Sequence, residues 1–181
     1  MLPLPIPKQE LWDEEHNKFI QIDSTVLELE HSLLSMAEWE SKHKKPLLDR
    51  KPHTTNELRD YVKCMTTNKI ENPNVYAALT MKDLAKVQEY MADPMTATTF
   101  ADAGKPKRGG QFITSELLYC WMSQFNIPYD PCQTWHLNRL LTLIKVCSEE
   151  NKGEQKVPRG KAMQDQRALN EARKKALGTR G

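Results

Sequence analysis

Glycine is scarce in this chain, with seven in 181 residues. A chain uses glycine for positive φ in tight turns, so its scarcity argues against a loop-rich or all-β design. No apolar run approaches the roughly 20 residues that a membrane helix needs. The cysteines Cys64, Cys120, Cys132 and Cys147 form no Cys-x-x-Cys pair and no dense framework. That spread points to free thiols in a reducing cytosol. The opening Met-Leu-Pro-Leu-Pro-Ile-Pro-Lys lacks the basic start and apolar run of a signal peptide. Lys105-Pro-Lys-Arg-Gly-Gly110 lacks the Walker spacing and the Ser/Thr after Lys, so it reads as a surface loop.

What is present is helix-like pattern. Trp135, Leu137, Leu140, Leu141, Leu143, Ile144 and Cys147 recur mostly at three- and four-residue steps within residues 133–147, with Leu143 toward the edge of the stripe. The spacing predicts a core helix that starts after Pro131 and ends at Glu149–Gly153, with the fold packed around it. Trp121, Trp135, Leu140, Leu141 and Ile144 are the expected core. Ser32 opens a helix over about 33–44, and Thr54 with Glu57 has the capping-box pattern. Thr80 with Asp83 opens another, and Thr114 or Ser115 starts one that runs to about Phe125. The short connection from there predicts an antiparallel hairpin with the core helix.

Lys18–Ile22 and Val26–Glu30 alternate as strands do, with Asp23-Ser24-Thr25 as a turn between them; one helix from Ser24 onward competes with that hairpin. Pro3, Pro5 and Pro7 alternate with Leu2, Leu4 and Ile6, which reads as a polyproline-like arm. The expected fold class is therefore mainly α. A Pro-rich extended arm covers residues 1–10. A compact helical body covers 11–150, with a short N-terminal β-hairpin. A linker and basic helical tail cover 151–181.

Charge is unevenly placed. Residues 151–181 hold nine Lys/Arg and three Asp/Glu, while the body leans acidic. The tail segment from Met163 to Leu177 is rich in helix formers with a thin stripe of Met163, Leu169, Ala172 and Ala176. Such a segment orders on a partner. Arg167, Arg173, Lys174, Lys175 and Arg180 would make its charged contacts, with Leu169 meeting the partner's apolar surface. It lacks interleaved aromatics, so nucleic acid is not the expected ligand.

No nucleophile, base and stabiliser can be assembled into a mechanism, so no catalytic residue is expected. Cys132 and His136 sit one helical turn apart, but no second pair lies at zinc-site spacing; no metal or cofactor is expected. Trp39-Glu-Ser-Lys-His-Lys-Lys45 is the more informative cluster. Trp39 with Lys42 and Lys45 either anchors a partner interface or closes the core while the lysines stay in water.

Several blocks resemble a family of long-tailed bacteriophage structural-operon proteins. They are Leu29-Glu-His-Ser-Leu-Leu34, Trp39-Glu-Ser-Lys42 with Lys45-Pro46, and Met95-Thr-Ala-Thr-Thr-Phe100. Tyr119-Cys-Trp-Met122, Asn126-Ile-Pro-Tyr129, Trp135–Ile144, Arg167–Lys174 and Gly178-Thr-Arg-Gly181 complete the set. The resemblance spans roughly residue 10 to the C-terminus. It departs at His43, where the family commonly has a second aromatic, Trp. It implies a non-enzymatic tail assembly chaperone that binds the tape-measure or tail-tube protein in the host cytoplasm. It equally implies a structural virion protein of the tail or neck, whose arm and C-terminal helix contact neighbouring subunits, with self-association. It brings no catalytic residues and no membrane.

Overall fold

Two N-terminal strands that the sequence disguises as a polyproline arm set the architecture. In the computed structural model, residues 1–13, 17–49, 52–100 and 112–154 are described. The expected loop at 101–110 and basic tail at 159–181 lie outside them. The backbone divides into two units, Met1–Ile144 and Lys145–Gly181. The described part of the second is helical from Lys145 to Glu154.

The strands are β1 (Leu2–Ile6), β2 (Gln9–Asp13), β3 (Lys18–Ile22) and β4 (Thr25–Leu29). β1 pairs with β4 and β2 with β3, both antiparallel. Leu2 faces Leu29, Ile6 faces Thr25, Gln9 faces Ile22 and Asp13 faces Lys18. One register therefore runs through both pairs, and they are two halves of a single ribbon. Each arm holds about 33 Å of strand at ~3.3 Å per residue. The ribbon is interrupted where Pro7-Lys8 lies opposite Asp23-Ser24, with Lys8 Nζ 3.7 Å from Asp23. Asn17, at φ 51°, lies just before β3 at the far turn; asparagine tolerates that left-handed region.

This corrects the mainly α expectation. Among the described residues the fold is mixed α/β, about 50% helical and 16% strand, with two small antiparallel sheets. Residues 18–22 and 26–29 are strands as expected, but they do not pair with each other. The extended arm is β1 and the start of β2. Alternate residues of an edge strand turn their N–H groups away from the partner, so proline at one parity loses no ladder bond. Pro3 and Pro5 share that parity and are exposed, while Leu4 and Ile6 are buried against the body.

β4 is also held on its other edge. Glu30 N donates to the Met65 carbonyl at 2.9 Å and Thr67 N to the Glu28 carbonyl at 2.8 Å. The Asn68 side chain accepts from Glu28 N and donates to the Val26 carbonyl. Leu27 and Leu29 are wholly buried in consequence.

The helices are α1 (Leu33–His43), α2 (Thr55–Met65), α3 (Met81–Ala92), α4 (Ser115–Gln124), the short α5 (Tyr129–Cys132) and α6 (Leu137–Glu154). Ser32, Thr54 and Thr80 each close a capping box, and Thr114 caps α4. The hub is α1 rather than the expected core helix. Leu33, Met36 and Trp39 are its fully buried face, and α2 and α4 pack on it. Its Glu40 carboxylate is buried and tied across the fold. One oxygen accepts from Leu47 N at 2.8 Å. The other accepts from Ser115 N at 2.8 Å and Ser115 Oγ at 2.7 Å, at the first turn of α4.

α6 starts four residues later than Gln133. The backbone at 133–137 is engaged by the β4–α1 junction: Leu34 N donates to the Gln133 carbonyl and Leu137 N to the His31 carbonyl. Leu137, Leu140 and Ile144 are its buried stripe. Trp135 and Leu141, expected in the core, are half-buried at its edge, and so is Trp121, because Leu118 and Met122 take the inner face of α4. The expected α4–α6 hairpin gives way to α4 on α1 as a principal contact.

These burials set an ordering of stability. Leu33→Ala should cost about 2–5 kcal/mol in denaturant melts, the range for a fully buried leucine. Leu141→Ala should cost clearly less, and equal losses would show that α1 is not the hub.

Candidate functional site

Trp39 is the first residue to place, because it headed the expected partner-binding set. It is wholly buried, and its Nε1 donates to the Glu57 carbonyl at 3.0 Å. His43 stacks on it at 4.4 Å and 24° between planes, while His53 and Tyr61 meet it edge-on. Trp39 is thus a core side chain, and the interface role is withdrawn for it. The residue the family resemblance marks as unusual, His43, supplies the stacked ring beside it. Lys42 and Lys45 form the solvent rim. Lys45 is ion-paired to Glu57 and lies 5.5 Å over the Trp39 ring. That ammonium, with the Thr54 N–H, holds the Glu57 carboxyl down to about 2. Lys42 bonds Glu38 at 2.7 Å and reaches Cys64 Sγ at 3.5 Å. Burial pushes the Cys64 thiol up, away from the reactive thiolate. The expected tail residues Arg167, Leu169, Arg173, Lys174, Lys175 and Arg180 lie outside the described residues.

Beside α1 and α2 runs a half-open cleft of about 350 Å³. Leu34, Met65, Cys64 and Met1 supply apolar lining, and Glu30 and Glu38 supply carboxylates. Leu34 stays 43% exposed there. Sequence periodicity missed this residue because Leu33 and Leu34 read as one apolar pair. Only the helix phase set by Leu33, Met36 and Trp39 separates them.

Behind the cleft lies a buried polar cluster. The Tyr61 hydroxyl is 2.5 Å from His31 Nδ1 and 3.3 Å from Ser35 Oγ. Ser35 Oγ also donates to the Ser32 carbonyl at 2.8 Å and accepts from Ser32 N at 2.9 Å. The imidazoles of His31 and His136 meet edge-to-face at 5.2 Å. His136 Nε2 bonds the Tyr90 carbonyl at 3.1 Å, and its Nδ1 accepts from Asn138 N at 3.3 Å. Both ring nitrogens of the suspected metal ligand are therefore engaged. The Tyr90 hydroxyl donates to Glu30 at 2.7 Å, which links the cluster to the cleft wall. Burial raises the Tyr61 and Tyr90 phenols well above their usual range. The groups cap a helix and join segments. Among the described residues, no three His, Cys, Asp or Glu side chains are placed to hold a metal ion. No described helix is long and apolar enough to cross a membrane.

A second exposed feature is the outer ribbon. Trp12 and Phe19 are cross-strand partners, with rings 4.9 Å apart at 61°. The Lys-Phe-Ile-Gln-Ile alternation holds the signal, since Ile20 and Ile22 on one face place Phe19 on the other.

No protein-family model matches this chain, and no curated protein or solved structure matches it either.

The histidine cluster gives a signed pH dependence. Burial, with the neighbouring His136, lowers the His31 pKa from 6.5 to about 3. Burial lowers that of His136 as well. Above pH 6.5 His31 is neutral whether folded or unfolded. Below it, the unfolded chain takes up the proton and the folded chain does not. His31 therefore costs stability progressively from pH 6.5 down to about 3, at up to about 1.4 kcal/mol per pH unit. His31→Gln should flatten the decline of folding free energy between pH 6 and pH 4. An unchanged slope in acid-dependent melts would mean that the imidazole is not the group responsible.

Proposed function

We propose that the chain is a non-enzymatic tail assembly chaperone of a long-tailed bacteriophage, acting in the host cytoplasm. Its cleft would hold an apolar helical segment of the tape-measure or tail-tube protein. The observation that carries this reading is the exposed Leu34 in a cleft edged by Glu30 and Glu38. The apolar strip suits the apolar face of an amphipathic helix, while the carboxylates at its rim already pair with the Met1 amine and Lys42. The sequence blocks from Leu29 to Leu34 and from Trp39 to Pro46, which carry the phage resemblance, build the same helix that walls the cleft. A tape-measure chain is long and largely helical, and it must stay soluble until tube subunits polymerise around it. Masking short apolar stretches is the work such a cleft can do.

A structural virion protein of the tail or neck is the second reading. The outer ribbon favours it, because its exposed aromatic pair could meet a neighbouring subunit.

Mass spectrometry of purified virions separates the two. A chaperone should be absent, and a virion component present in stoichiometric amount. Within the first reading, Leu34→Lys should reduce co-purification of the tape-measure protein about tenfold or more, as loss of an interface anchor does. Its effect on stability should stay within about 0.5 kcal/mol, as for other surface changes. Co-purification at the wild-type level would remove the cleft from consideration.

A further inference from the structure

We infer that the outer face of the ribbon, built on Trp12 and Phe19, docks the basic segment 159–181 of a second copy of this chain. Three observations converge on that occupant.

The first is the face itself. Trp12 is 49% exposed and Phe19 65%, although they are large aromatic side chains in direct contact with each other. A cross-strand aromatic pair stabilises its own ribbon. That role needs only the mutual contact and leaves the outer surfaces of both rings for something else. The opposite face is already used, with Ile22 buried and Gln9 donating to the Ala78 carbonyl, and along the strand edge Asn72 donates to the Gln21 carbonyl. The ribbon is thus fixed to the body by one face and presents the aromatic face outward. The aromatic face is therefore the one left for a contact between copies.

The second is charge. Glu10 lies on the aromatic face, paired with Gln21 and one step along from Trp12. In sequence, residues 10–15 carry four carboxylates, Glu10, Asp13, Glu14 and Glu15, of which strand alternation puts Glu10 on this face. Segment 159–181 carries seven Lys/Arg and two Asp/Glu. A second acidic ribbon would be repelled by this face, whereas that basic segment complements it.

The third is what the segment lacks. Its large apolar side chains are Met163, Leu169 and Leu177. So few groups cannot offset an ordering entropy of roughly 1–2 kcal/mol per residue. The segment has strong helix formers throughout, so it needs from outside an apolar strip and some acids. Trp12, Phe19 and Glu10 present that combination.

A contact of ribbon to tail is heterologous. Each pair so formed keeps one free ribbon and one free tail, so assembly proceeds head to tail. This needs no tape-measure contact, so the cleft and the ribbon stand or fall separately.

The test is complementation with the full-length protein. By sedimentation velocity, wild type should grow in mass from low to high micromolar concentration, and high salt should oppose this growth. One variant carries Trp12→Thr and Phe19→Thr, which keep strand-forming side chains. The other carries Arg173→Glu, Lys174→Glu and Lys175→Glu. Each alone should associate about tenfold more weakly or not at all. Mixed, they should restore a 1:1 dimer that goes no further, because one supplies the only intact tail and the other the only intact ribbon. Circular dichroism melts matching wild type show that each variant is folded, and the tail variant tests the contact even if the ribbon variant frays. A wild type that stays monomeric, with its tail bound to its own ribbon or to nothing, overturns the proposal. So does a mixture that stays monomeric, or a ribbon variant that associates as wild type does.

Discussion

The double pairing of β4 is the constraint on which the rest of the fold depends. One edge carries β1, and the other carries the backbone and side chains of residues 65–68. A strand held on both edges has no freedom of register. β4 runs through Glu30 and His31 directly into the Ser32 cap, so its position dictates where α1 begins. α1 in turn carries Trp39, which fixes α2 through the Glu57 carbonyl, and Glu40, which fixes α4 through Ser115. The buried Glu40 carboxylate is satisfied by three donors, two of them backbone N–H groups that would otherwise be orphaned inside the protein. Local choices along one strand and one helix thereby order segments more than 70 residues apart.

The parts of this fold that are legible in the sequence are those whose cause is local. Ser32, Thr54 and Thr80 announce their helices because a cap bonds an N–H three residues away. The strand identity of residues 18–22 is legible from alternation for the same reason. Pairing is not local. The turn residues Asp23 and Ser24 suggest a hairpin between β3 and β4, yet each strand finds its partner in the first 13 residues. Pro3 and Pro5 hide that partner, since prolines in alternation suit a polyproline helix and an edge strand equally well. Only the burial of Leu4 and Ile6 tells them apart. Mistaking residues 133–147 for the hub has a similar origin. That stretch is the most apolar in sequence, but hydrophobicity measures how much a segment can bury, not how many elements it meets.

The site residues divide along the same line. Trp39 beside a lysine cluster admits an interface or a core reading, and the choice turns on His53, Tyr61 and Glu57, which come from elsewhere in the chain. Leu34 and the Trp12–Phe19 pair become visible only once helix phase and strand register are known. The reactive side chain types are placed just as tellingly. Ser35 completes a cap, and His31 and His136 join the β4–α1 junction to the start of α6. Their low proton affinity follows from that structural placement.

The ribbon shows how one element can be core and surface at once. A two-stranded ribbon is marginal by itself in water. Here the β1–β4 half has one face buried, through Leu4, Ile6, Leu27 and Leu29, and holds the β2–β3 half in register through Pro7-Lys8 and Asp23-Ser24. The exposed half therefore draws its order from the buried one and remains able to show aromatic rings to solvent. The same prolines that disguise β1 in the sequence also protect it. An edge without N–H donors at Pro3 and Pro5 is a poor template for strand addition, and β4 has its second edge occupied. Contact with another chain along the β1–β4 half is thus disfavoured through the backbone. What the N-terminal region offers a neighbour is a side-chain face, in which the chemistry of Trp12, Phe19 and Glu10 selects the partner.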